Sequence, residues 1–154
     1  MNALPIMRAR FRLYMAAASV FRDPAYVRRD GKTFCNLAAA KVATLLGYPA
    51  LNGMLSTNQH ALARASDSFL PVDPFTAAKL AGFGVLVLAF WSAPPDGHVV
   101  VVLPGVPVWS DKWGAVSPLC MDIGANHTIG RCTAWAFREQ PEYFALKRTL
   151  PWAI

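Results

Sequence analysis

Apolar positions follow two different periods along this chain. Through the first half they recur every three to four residues, and Met7–Arg22 predicts a helix that Asp23-Pro24 stops. Asp30-Gly31 reads as a turn. Phe34–Leu46 is Ala-rich, free of Gly and Pro, and followed by Gly47, a good residue to end a helix. Ser56 with Gln59 three residues on has the form of a capping box and opens a helix through Ser66. Asp73-Pro74 predicts an N-cap and first turn for a short helix that stops at Gly82. Beyond Gly82 the period changes. Val85–Trp91 and His98–Leu103 are apolar, β-branched runs, Pro104-Gly105 is a turn, and Val106–Asp111 returns. Arg131–Phe137 predicts a further strand, and Tyr143–Arg148 fits either a strand or a helix.

Helices followed by hairpin-connected strands define an α+β domain. The connections between strands are too short for βαβ crossovers, so the sheet is expected to be mostly antiparallel. Neither GxGxxG nor GxxxxGK[ST] occurs, which argues against dinucleotide and P-loop nucleotide sites. With no internal repeat and no low-complexity linker, residues 1–154 read as one domain.

Composition narrows the class. Hydrophobic residues make up 55% and charged residues 16%, against a usual charged share of about 25%. That excludes a disordered chain or a coiled coil and leaves a rather apolar surface. Fifteen Lys and Arg against nine Asp and Glu give a net charge of +6. Such a balance favours anionic partners: nucleic acid, acidic lipid or an acidic wall polymer. The basic residues are scattered and no RNP-type or zinc-finger motif is present, so nucleic acid is not expected. The apolar run Leu13–Phe21 is at the short end for a signal-peptide core, and no run approaches a membrane span. Three cysteines without a CxxC pair allow a Cys120–Cys132 disulfide with Cys35 free, or three thiols.

Chemistry concentrates at Thr33-Phe34-Cys35-Asn36-Leu37-Ala38. It sets Cys35 in the first turn of a helix, where open N–H groups and the helix dipole stabilise a thiolate. A nucleophilic thiol needs a base. Of His60, His98 and His127, His98 is the candidate, because Asp96-Gly97-His98 leads directly into Val99-Val100-Val101-Val102 and puts the imidazole at the start of a central strand. His60 lies in a polar helix and His127 in a loop. Asn36 is a candidate for holding the loop, capping the helix or touching substrate. Trp91, Trp109, Trp113 and Trp135 are candidates for a sugar-stacking groove, with core packing the default for strand aromatics. Cys120, His127 and Cys132 match no zinc spacing, and no metal or other cofactor is expected.

The helix start "TfCN-x-A" followed by "G-H-V-x-V-V-x-P-G" resembles the papain-like cysteine peptidases and amidases of bacterial and phage cell-wall metabolism, the NlpC-type endopeptidases and their CHAP amidase relatives. The resemblance runs from Phe34 to Phe137 by order of elements. It implies N-terminal helices packed on an antiparallel sheet, Cys35 as nucleophile, His98 as base, and a polar residue on the neighbouring strand that orients the ring. If Pro104-Gly105 is a two-residue turn, His98 faces Asp111, which then takes the third place. Pro107 disturbs that register, and a one-residue shift brings Ser110 instead. The implied activity is hydrolysis of an amide bond in the peptidoglycan peptide by a monomer, held in the cytoplasm before delivery or secreted to the wall. A transferase or deamidase of the same fold, toxin-like, is one alternative. A non-catalytic wall- or protein-binding module with a buried Cys35 is the other.

Overall fold

The computed structural model describes residues 3–93 and 96–151. Helix α1 (Ala3–Arg22) forms because Leu13, Ala16, Ala17 and Val20 recur at helical spacing and are buried together. Helix α2 (Cys35–Leu45) packs against α1 and the sheet through Ala38, Ala39, Val42 and Ala43, small residues that let the helix approach closely. Helix α3 (Ser56–Ala65) and strand β1 (Phe69–Val72) follow, then helix α4 (Pro74–Gly82). Asp73 caps α4 as its sequence predicts, its carboxylate accepting from the Thr76 N–H at 3.0 Å.

The second half supplies the sheet. Its strands are β2 (Val87–Ala93), β3 (Asp96–Val102), β4 (Val108–Ser110), β5 (Ala115–Ser117), β6 (Leu119–Asp122), β7 (Thr128–Cys132) and β8 (Glu142–Leu146), with a one-turn helix α5 (Thr133–Ala136) after β7. Six strands pair in the order β1-β8-β2-β3-β6-β7, every pair antiparallel. The fold is α+β, with helices packed on a mostly antiparallel sheet. Val85–Phe90 and Val99–Val102 are at most 1% exposed, which is why β2 and β3 read as unbroken apolar runs: both faces of these central strands are covered.

Register decides which side chains meet. Phe90 opposes Val99 on one face, and Trp91 opposes His98 on the other. Val102 opposes Cys120, so by alternation Cys120 and Asp122 share the face of His98. On the Phe90 face, α3 packs with His60 stacked at 5.1 Å on the Phe90 ring. Gly97 lets α3 sit close there: a Cβ at that position would lie 2.8 Å from Ser56 Oγ. On the His98 face, a buried hydroxyl chain Ser117–Thr133–Tyr143 ties β5, α5 and β8 together, with links of 2.9 and 2.8 Å.

Three expectations are corrected. The segment Val106–Asp111 does not return against β3. Only Val108–Ser110 forms a strand, and it pairs with β5 in a separate two-stranded sheet. The cause is that the Leu103 N–H donates to Leu119 O at 2.8 Å, so β6 occupies the edge of β3, while Pro107 has no N–H for a ladder. The capping box is not formed: Leu55 holds the N-cap of α3, and Gln59 turns inward, its Nε2 donating to the carbonyls of Asn36 and Leu51. Arg131–Phe137 is strand only to Cys132, because Ser117 Oγ accepts the Ala134 N–H and turns the chain into α5. Strand β1, which contains Pro71, escapes the sequence pattern; it lies at the sheet edge, where a missing donor is tolerated. Tyr143–Arg148 resolves as strand through Leu146 and a 3₁₀ turn over Lys147–Thr149.

Gly84 sets how α1 meets the sheet. Its φ is +84°, and a Cβ there would lie 2.6 Å from Ala9 O, against helix backbone that cannot give way. Gly84→Ala is expected to destabilise the fold by about 2–4 kcal/mol through strain and backbone clash together. Urea unfolding measures it. A loss below about 0.5 kcal/mol would show that α1 is free to move off this turn.

Candidate active site

Helix α2 begins at Cys35 with Phe34 in the N-cap position, and Phe34 offers no side-chain acceptor to the first-turn N–H groups. Those donors and the positive end of the helix dipole are left to the thiol. Burial alone pushes the Cys35 thiol up. The hydrogen bond and charge of His98, with backbone hydrogen bonds from Val99 and Asn36, outweigh it, and the thiol lies below its ordinary range. Cys35 is 6% exposed.

His98 projects from the start of β3. Its Nε2–H donates to Asp122 Oδ1 at 2.9 Å, which leaves Nδ1 for the thiol. Burial favours the neutral ring, but the carboxylate of Asp122 and the Cys35 thiolate raise the imidazole to about 9. Asp122 ends β6 with a side chain only 3% exposed, so its field acts on His98 with little screening by water. Gly124 makes room for the pair. A Cβ at that residue would lie 2.7 Å from His98 Cε1 and 2.8 Å from Asp122 Oδ1. Phe137 lies against the imidazole with ring centroids 5.1 Å apart. A cleft of about 330 Å³ opens beside the pair, with Thr33, Trp91, Asn126 and Arg138 on its walls.

Of the residues marked by sequence, Cys35 and His98 come together and Asp111 does not join them. Asp111 is exposed in the turn after β4, and Ser110 is buried in β4 opposite Ala115. The carboxylate at His98 is that of Asp122. Its signal is present in the chain: an acid closing the apolar run Leu119-Cys120-Met121 and followed by Ile123-Gly124 is a charge on a buried strand, which requires a partner. Asn36 holds a loop, donating from Nδ2 to Met54 O at 2.8 Å. Trp91 borders the cleft, whereas Trp109 and Trp135 are exposed elsewhere and Trp113 donates to Arg138 O. All three cysteines are free thiols. Cys120 is pushed far up by burial, with Asp122 and Cys132 adding to it, so it is less reactive than Cys35. His127 stacks on Phe21 and donates from Nε2 to the Phe21 carbonyl.

His60 is a core histidine. It bonds Ser92 Oγ through Nδ1 at 2.8 Å and Glu142 Oε2 through Nε2 at 2.5 Å, and Arg64 also bonds Glu142. Burial lowers the His60 pKa despite Glu142, so the ring stays neutral and ties α3 to β2 and β8.

No family model matches the chain, and no curated protein matches it at a significant level. The chemistry of the site therefore rests on its own geometry.

Two outcomes are expected. Iodoacetamide at pH 6–7 labels Cys35 ahead of Cys120 and Cys132, as peptide mass mapping will show, because the Cys35 thiol is lowered by its imidazole partner while that of Cys120 is raised by burial. Predominant labelling of Cys132 would remove Cys35 from consideration as a nucleophile. Asp122→Asn removes the charge that holds His98 up, so the His98 pKa falls and that of Cys35 rises. Alkylation at neutral pH then slows about tenfold for each unit by which the thiol rises. Asp111→Asn leaves the rate unchanged. The linkage sign follows from His98. A folded pKa near 9 above an ordinary 6.5 gives stabilisation that is full below about 6.5 and is lost as pH rises through 9. Asp122→Ala, which strands the buried imidazole, is expected to cost about 3 kcal/mol in urea unfolding at neutral pH.

Proposed function

We propose that this chain is a cysteine peptidase or amidase that hydrolyses an amide bond in the peptidoglycan peptide. The observation that carries the reading is one arrangement: a thiol in the first turn of a helix, lowered by an imidazole that a buried carboxylate orients, with His98 and Asp122 lining a cleft. Cys35 is the nucleophile, His98 the base and Asp122 the residue that fixes the ring.

Nδ1 of His98 takes the thiol proton, and the thiolate attacks the scissile carbonyl. The tetrahedral oxyanion is held by the Cys35 backbone N–H at the helix start, a donor free of intrahelical bonding. Collapse expels the amine, which leaves with the proton from His98, and forms a thioester. Water, deprotonated by His98, then hydrolyses the thioester and restores the thiol. Asp122 holds the Nε2–H tautomer and stabilises the imidazolium through both halves of the cycle. The resemblance to NlpC- and CHAP-type enzymes and the net charge of +6 support an acidic wall polymer as substrate. The 6% exposure of Cys35 favours a second reading, a non-catalytic binding module in which the thiol is a core residue.

Digestion of purified peptidoglycan followed by mass spectrometry of the fragments tests the proposal. New peptide ends are expected with the native chain and none with Cys35→Ala, which removes one buried sulfur and costs the fold about 1–2 kcal/mol. Intact peptidoglycan, together with covalent capture of Cys35 by a peptidyl electrophile, would move the substrate to another amide or acyl donor. Failure of both would leave the binding module.

A further inference from the structure

Helix α1 has two apolar faces, and from Leu4 to Met15 the fold uses only one; further on Ala18, on the second face, is buried. Leu13, Ala17 and Val20 are at most 2% exposed and face the core. Leu4, Met7, Phe11, Tyr14 and Met15 are 43–65% exposed. At about 100° per residue these five fall within an arc of about 100° on the opposite side of the helix. Arg10 lies along one flank of that arc, and Arg8 and Arg12 along the other. The helix contains no acidic residue. Pro104 adjoins Met7, Phe11 and Tyr14, and Val106 just beyond it is 83% exposed, so the apolar surface continues from the helix onto the loop after β3.

We propose that this face of α1 is a docking surface for an anionic lipid bilayer, with the helix lying in the plane of the interface. Phe11, Met7 and Tyr14 enter the acyl boundary, and Arg8 and Arg10 reach lipid phosphates from either flank. Arg12 is held partly by the Leu45 carbonyl. Charge selects lipid over a second copy of the chain. Packing two such faces together would oppose arginines with no carboxylate on α1 to pair them, whereas an anionic surface supplies phosphate along both flanks. The three arginines within Arg8–Arg12 also keep α1 on the interface rather than through it, and no helix among the described residues is long and apolar enough to cross a membrane. The inference is independent of the chemistry at Cys35.

Co-sedimentation of the full chain with vesicles tests it, using phosphatidylglycerol and phosphatidylcholine in equal parts against phosphatidylcholine alone. The native chain and Cys35→Ala are both expected to bind the anionic vesicles, weakly or not at all the neutral ones, and less at high salt. Met7→Asp with Phe11→Asp lowers binding at least about tenfold. Arg8→Gln with Arg10→Gln lowers it about 25-fold, some fivefold per arginine. These side chains are exposed, so both variants keep the native unfolding temperature. Equal binding to the two vesicle types, or none to either, overturns the proposal. A dimer in solution that the Met7/Phe11 variant dissociates, without vesicle binding, assigns the face to a second copy instead.

Discussion

An imidazole set into a sheet this apolar has to be given an acid, and the His98–Asp122 pair is the constraint around which the site is arranged. His98 opens a run of four valines, and Asp122 closes a run of Leu, Cys and Met. Neither group has enough water nearby to solvate it: their side chains are 19% and 3% exposed. Burying either alone would cost several kcal/mol, so each requires the other. The requirement reaches outward from there. It calls for β6 beside β3, in a register that puts Asp122 on the His98 face. It also calls for Gly124 where any side chain would collide with the pair.

Two histidine–carboxylate pairs lie on opposite faces of the sheet, and their surroundings separate their roles. Both rings donate to an acid and have a second nitrogen available. At His60 that nitrogen meets Ser92, the acid is shared with Arg64, and burial drives the ring towards the neutral form. The arginine draws down the carboxylate's influence on the ring, leaving a hydrogen-bonded tie between α3 and the sheet. At His98 the acid is buried and shared with no arginine, the second nitrogen meets a thiol at a helix start, and the ring is driven towards the charged form. Hydrogen-bond order alone would not distinguish these sites. The direction in which the surroundings push the imidazole does.

The parts of this fold legible in the sequence are those set by local physics. Pro24, Gly47 and Asp73-Pro74 punctuate helices by backbone chemistry alone, and the helix start at Cys35 and a strand through His98 follow from period and glycine position, although that strand begins two residues earlier, at Asp96. What escaped depends on pairing between distant segments. The choice of Asp111 rested on a hairpin assumed from Pro104-Gly105, and strand order is a tertiary property: β6, with its edge free to accept the Leu103 N–H, displaced the nearer segment. The apparent capping box at Ser56 and Gln59 failed for a related reason. The two carbonyls that Gln59 satisfies belong to Asn36 and Leu51, and no local window contains them. In each case a local signal was outcompeted by a buried polar group that had to be satisfied from elsewhere in the chain.

One local rule is broken at two helix starts, those of α2 and α3, where Phe34 and Leu55 hold the N-cap. The N-cap of α2 is Phe34, a residue with nothing to offer the open N–H groups, where Ser, Thr, Asp or Asn would stabilise the helix by about 1 kcal/mol. The neighbouring helix α4 shows the ordinary solution, with Asp73 bonded to Thr76. An acceptor at residue 34 would place an oxygen among the same donors that lower the Cys35 thiol, and would compete with the sulfur for them. The unfilled cap therefore leaves the helix terminus open to a charge on Cys35. A neutral S–H hardly responds to the dipole, so the open terminus bears on the thiol only as it ionises. The missing cap, the imidazole raised by Asp122 and the lowered thiol all act on the same ionisation. At α3, whose Leu55 cap is equally empty, no thiol stands in the first turn, so the open donors bear on an ionisation only at α2.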